Sequence, residues 1–232
     1  MLFLLDFIFS ATTVLGVVDR EINESDKCAR LFSHFEKKYK LPKDILHSIS
    51  LQESQKAHSK YKLGIVWPWT INVEGKGYYF KSKYDAINFT KKQIELGINS
   101  IDVGCMQINL KYHPNAFESL HQAFSPIKNI EYAAQLLRNH YENHGNWHVA
   151  VGYYHSATAD KASNYRNHVK KINNKMKAYR ENLAQYSSLQ FKTNTRILAS
   201  NMSVIKAKGT NKNSNGINIS NIKTHDLFRR VQ

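Results

Sequence analysis

The stretch SPIKNIEYAAQLLRNHYENHG carries the strongest periodic signal in the chain. Ile127, Ile130, Ala134, Leu137 and Tyr141 recur at steps of three and four, which puts them on one side of a helix. Ser125 and Pro126 suit its opening, and Gly145 suits its stop. A helix of this length with one apolar stripe has to bury that stripe against other elements. The rest of the chain supplies partners. Ser25 is placed to cap a helix carrying Cys28, Leu31, Phe32, Phe35 and Tyr39, and Pro42 suits the first turn of a second one running through Ile45 and Ile49 to Glu53. Asn146 can cap a short helix through Trp147, Val151 and Tyr154. A final amphipathic helix carries Tyr165, Val169, Ile172, Met176 and Leu183.

One segment breaks the helical period. In TINVEGKGYYF two short β-type runs flank Gly75-Lys76-Gly77, the pattern of a small hairpin. Ser82 and Asp85 then have the spacing of a capping box for a helix to about Gly97. The expected fold class is α+β, mainly α: a helical domain over residues 25–185 with a small β-hairpin. Periodicity alone does not choose among helical folds of that kind.

The two ends read differently. Residues 1–24 form a signal-like leader, MLFLLDFIFSATTVLGVV being almost wholly apolar. The run is marginal for a span of about 20 residues and resembles the apolar region of a signal peptide, although no Lys or Arg precedes it and Asp6 interrupts it. Val14-Leu15-Gly16 offers a small-residue cleavage end. The preferred reading is export to the periplasm or cell envelope; an uncleaved anchor and a buried first helix are the alternatives. Residues 186–232 are rich in Asn, Ser, Lys and Thr, the composition of a solvated, disordered basic tail.

The formal net charge of +15 attracts a polyanion: nucleic acid, an anionic membrane or an acidic wall polymer. The basic residues are scattered, with no RNP-type motif and no zinc-finger spacing, so specific nucleic-acid binding is not expected. Cys28 and Cys105 are the only cysteines. In an oxidising compartment they are naturally read as one disulfide, otherwise as two buried thiols. His140, His144 and His148 lie in a row, but Gly145 ends the helix and no HExxH occurs. They are read as solvated, and neither metal nor cofactor is expected.

The chemistry centres on HSISLQES, residues 47–54. Ile45, Ile49 and Glu53 share a helix face, so an apolar stripe finishes in an acid near a helix C-terminus. Burial and the macrodipole both raise a carboxyl pKa there, which suits a general acid for a glycosidic oxygen. Alone, such a glutamate is more often solvated or structural. In SIDVGCMQINL, Gly104, Met106, Gln107 and Asn109 fall together, and the two amides can bond sugar hydroxyls and N-acetyl groups. In NWHVAVGYYHSA, Tyr154 can stack on a sugar face, bond the acid, or simply fill the core. Trp67, Trp69, Tyr78 and Tyr79 are either sugar platforms or the hairpin's own apolar face. Asp102 is read as a turn or cap residue.

Taken in order, Glu53-Ser54, then Gly104-Cys105-Met106-Gln107-Ile108-Asn109, then Gly152-Tyr153-Tyr154-His155-Ser156-Ala157 resemble the lytic transglycosylases with an SLT-type, goose-lysozyme-related domain. The likeness spans roughly residues 28–168. Cys105 stands where Leu is usual and His155 where Asn is. The segment PWT-N-GKGYYF before SIDVGCMQIN lengthens the gap after Glu53 and marks a subgroup. The resemblance implies a lysozyme-like fold acting on peptidoglycan glycan strands without a cofactor. Glu53 is implied as the single acid and base, producing a 1,6-anhydro-muramic end. Gln107 and Asn109 would hold the sugar, Ser54 and Tyr154 would position the acid or the acetamido group, and Met106 would shape the floor. A Cys28–Cys105 bond would tie the first helix to the substrate-binding segment. Some relatives serve secretion or conjugation machines, so a cell-envelope or secretion assembly is the implied partner. A lysozyme-type hydrolase and a wall-binding accessory with weak catalysis are the rival readings.

Overall fold

The computed structural model describes residues 19–186; the leader before residue 19 and the tail beyond 186 lie outside it. Its first helix, α1 (Arg20–Lys38), opens on Asp19, whose carboxylate accepts the N–H groups of Glu21 and Ile22. Those donors have no partner within the helix, so an Asp there is worth about 1 kcal/mol. Ser25 therefore does not cap the helix as expected; it is buried inside it.

Helix α2 (Ile45–Ser54) follows a turn at Pro42, and Asp44 before it makes no side-chain cap. The cap comes from α1. Buried Glu36 accepts the N–H groups of Asp44 at 3.0 Å and Leu46 at 2.9 Å. The orientation of α2, and so of Glu53, is thus fastened at its start by a neighbouring helix.

Six short strands follow. β1 (Gln55–Ala57) pairs antiparallel with β2 (Gly64–Val66). β3 (Thr70–Val73) and β4 (Lys76–Tyr79) form the expected hairpin, with Gly75 at φ +93° in its turn. It belongs to a larger antiparallel sheet of order β4-β3-β5-β6, where β5 is Ile101–Val103 and β6 is Ile108–Asn109. The register sets Asn72 opposite Asp102, and Asp102 opposite Asn109. Directly opposed residues share a face, so these three polar side chains form one row across the sheet.

Between the hairpin and β5 lies α3 (Lys83–Glu95), capped as expected by Ser82. The short α4 (Leu120–Ala123) precedes the long α5 (Pro126–His144), which ends at Gly145 in the left-handed region. Most of its predicted stripe is inside, but Ile127 in the first turn is 53% exposed. α6 (Trp147–His155) is capped by Asn146, and α7 (Ala159–Asn174) packs on it. The final helix is broken at Lys175 before helical residues 176–186, where the sequence had suggested one continuous element.

Two apolar clusters hold these elements. The helical one gathers Phe32, Leu46, Ile49, Ile130, Leu137 and Val169. The other fills the space around the sheet with Ile65, Trp67, Trp69, Ile71, Val103 and Phe124. Trp67 and Trp69 are accordingly interior residues rather than sugar platforms. Where the clusters meet, the buried amide of Asn129 on α5 donates to the carbonyls of Val103 and Ala123 and accepts the N–H of Met106. Gly104 passes so close that a Cβ there would lie 2.7 Å from the Asn129 Nδ2, and its φ of +82° already favours glycine. A disulfide joins Cys28 of α1 to Cys105 beside this junction. Among the described residues no helix is long and apolar enough to cross a membrane.

Candidate active site

Glu53 is the penultimate residue of α2, one turn past buried Ile49. It lines two openings. One, of about 320 Å³, is bordered by Asn72, Asp102, Gln107, Tyr154 and His155; the other, of about 580 Å³, by Gln52, Gln55, Tyr61, Lys62 and Tyr79. The acid therefore stands where two parts of a groove meet. Burial pushes its pKa up to about 7, the Asp102 charge acts in the same direction, and the Tyr165 hydroxyl opposes them. A group with this pKa is substantially protonated near neutrality, as a general acid must be.

Two tyrosines face it. Tyr154 Oη donates to the Met106 carbonyl at 2.9 Å, which anchors α6 to the floor of the groove. The Tyr165 hydroxyl is buried and faces the Glu53 carboxyl without meeting it in a well-formed hydrogen bond. Such contacts are often loose without substrate and tighten in the reacting complex. Burial, then the Glu53 charge, raise both phenols well above their usual range, so they stay neutral donors.

The segment beneath the acid is held by its own backbone. Ser50 and Ser54, one turn apart on α2, both donate to the Cys105 carbonyl, at 2.7 and 2.8 Å. Gln107, at φ +47°, donates its side-chain amide to the carbonyls of Thr70 and Gly104, each at 3.0 Å. Asn109 Nδ2 donates to Asp102 at 2.7 Å, while its Oδ1 accepts the N–H groups of Lys111 and Tyr112. Glu53 is thus registered against the Gly104–Asn109 segment through backbone carbonyls. A family model described as the transglycosylase SLT domain matches the chain over residues 30–177.

The chain belongs to that family. Searches of curated proteins and of solved structures returned no match. Membership agrees with the mainly helical, lysozyme-like plan with its small antiparallel sheet, and it makes peptidoglycan the substrate class.

Within this SLT domain several expected site residues take other places. Ser54 is fully buried and does not reach the groove; it fastens α2 to Cys105. Met106 is likewise wholly interior, and only its backbone takes part, through Tyr154 and Asn129. Tyr78 packs on Phe89 at 4.7 Å inside the sheet cluster. Tyr79 is 49% exposed and borders the larger opening, its hydroxyl donating to the Gln55 carbonyl. Gln107 and Asn109 do border the groove, but both amides are engaged by the protein. Asp102 is no turn residue: it sits in β5 and faces Glu53's side of the groove. Its pKa is raised by burial, against the hydrogen bond from Asn109.

Tyr165 and Asn72 were not singled out from the sequence as site residues. Tyr165 reads there as one more apolar step of a helix, and Asn72 becomes visible only through the strand register. A separate polar cluster brings Asp19, Glu21 and His58 together. His58 Nδ1 accepts the N–H groups of Lys60 and Tyr61, which fixes the ring proton on Nε2, 2.9 Å from Asp19. A nitrogen that carries a proton has no lone pair for a cation, so this cluster clamps the start of α1 and does not fit a metal.

Proposed function

We propose that this SLT domain is a lytic transglycosylase that cleaves the β-1,4 bond between N-acetylmuramic acid and N-acetylglucosamine and leaves a 1,6-anhydro-muramic end. The observation that carries the reading is Glu53, a carboxyl with a pKa of about 7 at the junction of two openings. In the first step it gives its proton to the glycosidic oxygen as the bond to C1 breaks. The substrate's own 2-acetamido oxygen bonds to C1 and takes up the positive charge. In the second, the Glu53 carboxylate removes the C6 hydroxyl proton, and O6 displaces the acetamido oxygen from C1. The acid returns to its starting state and no water is consumed. Tyr165, kept neutral, steadies the carboxylate between the steps, while Tyr154 holds α6 to the Met106 carbonyl. Residues of the Gly104–Asn109 segment and the Asn72 row border the sugar. The periplasm or cell envelope is the matching location, because the substrate lies there. A secretion or conjugation assembly is the partner we associate with the lengthened segment after Glu53.

A second reading rests on Asp102. A carboxyl in the same groove as the acid offers a lysozyme-type hydrolase a base for water or a nucleophile. Digestion of purified peptidoglycan followed by mass spectrometry separates the two. Anhydro-muropeptides, with D102N still active and E53Q inactive, support the transglycosylase. Reducing-end muramic acid, lost in D102N, supports the hydrolase instead. No release by the wild type overturns both.

A further inference from the structure

The position where this chain carries His155 in place of the usual Asn lies at the end of α6, beside the acid. Its imidazole lies flat on the Tyr165 ring, centroids 4.6 Å apart and planes 4° from parallel. The two rings differ in surroundings: Tyr165 is 5% exposed, whereas His155 is exposed and borders the same opening as Glu53. An outer ring thus covers an inner one whose hydroxyl faces the Glu53 carboxyl. We propose that His155 is a positioning residue for the acid: by stacking on Tyr165 it holds that hydroxyl against Glu53 and keeps bulk water off the pair. Stacked rings of this kind contribute through contact area and orientation, and an asparagine has no ring with which to do the same.

The other groups at this site are accounted for. Glu53 is faced by Asp102 from β5, by Tyr154 from α6 and by Tyr165 from α7. His155 is faced by Tyr165 and by Lys161 of α7; burial first, then that cation, lower its pKa. It is therefore largely neutral at pH 7 and acts through its ring rather than its charge. Opening the cover re-solvates the carboxyl, which favours its ionised form and lowers its pKa.

The inference rests on Glu53 as the acid, but its first test does not need turnover. In the full-length protein, the Glu53 carboxyl is titrated by ¹³C NMR, its signal assigned by difference from E53Q. H155A is expected to move the midpoint down by about one pH unit, and H155F to restore most of it. An unmoved midpoint in H155A, or an H155F midpoint displaced as far as that of H155A, overturns the proposal. If H155A does not fold, H155N takes its place: a displaced midpoint supports the stacking role, and a wild-type midpoint overturns it. On peptidoglycan, H155A should lose about fivefold in kcat at pH 7 with KM within about twofold. A raised KM with unchanged kcat would make His155 a sugar contact instead. Absence of any muropeptide release by the wild type counts against the proposed function alone, because the titration still decides the role of His155.

Discussion

Glu53 has consequences for stability as well as for catalysis. Its pKa is about 7 in the folded chain against an ordinary 4.5, so the native state holds the proton more tightly than the unfolded one. The associated stability is fully present below pH 4.5 and is lost as pH rises through about 7. At about 1.4 kcal/mol per unit, the loss amounts to about 3 kcal/mol by pH 8. E53Q cannot ionise and should escape it. Thermal melts are expected to show E53Q gaining on the wild type between pH 4.5 and pH 8, while its activity on peptidoglycan falls at least about a hundredfold. Equal pH dependence of the two melting temperatures would mean that the carboxyl is solvated. Activity should also decline above pH 7 as the acid deprotonates. This residue was legible in the sequence because Ile45 and Ile49 point the helix face on which it lies. Tyr165 was not, since a tyrosine on an apolar stripe gives no sign of what its hydroxyl meets.

Helices and strands were not equally readable. α3, α5 and α6 carry local punctuation, Ser82, Gly145 and Asn146, and each begins or ends where those residues put it. β1, β2, β5 and β6 are two or three residues long, too short for any period to show, and only the hairpin with its glycines stood out. The start of α1 was missed because Asp19 fell within what read as the leader. The packing of α2 also hides a pH response. His47 is buried between Phe32 and Tyr179, with its Nε2 unpartnered. Burial, with Arg180 in the same direction and Asp44 opposing, lowers its pKa to about 4 from 6.5. The unfolded chain binds this proton first, so stability present above pH 6.5 drains away as pH falls towards 4. The loss is about 3 kcal/mol. H47F, which keeps a ring between its neighbours, should flatten this acid limb in urea titrations at pH 7 and pH 4. An acid limb as steep as that of the wild type would place the sensitivity elsewhere.

At the level of the whole molecule, one covalent bond and one amide join parts that are far apart in sequence. The Cys28–Cys105 bond closes a separation of 77 residues and restrains the unfolded chain accordingly, by about 4 kcal/mol in the loop-entropy view. The double variant C28A/C105A should lose stability of that order in urea titrations and match the reduced wild type; a wild-type midpoint would show that packing alone sets the α1 contact. The two cysteines were visible at once as a natural pair. Asn129 was not, because nothing local marks a buried amide that answers to three segments. Its own amide also leaves no room for a side chain at Gly104. A larger residue at 104 collides with the amide, and a smaller one at 129 abandons two carbonyls and an N–H at a stroke. Neither change is tolerable as a first step, so the pair works as a ratchet on descent. Lineages that keep this architecture are expected to inherit both residues together, however freely the surface around them drifts.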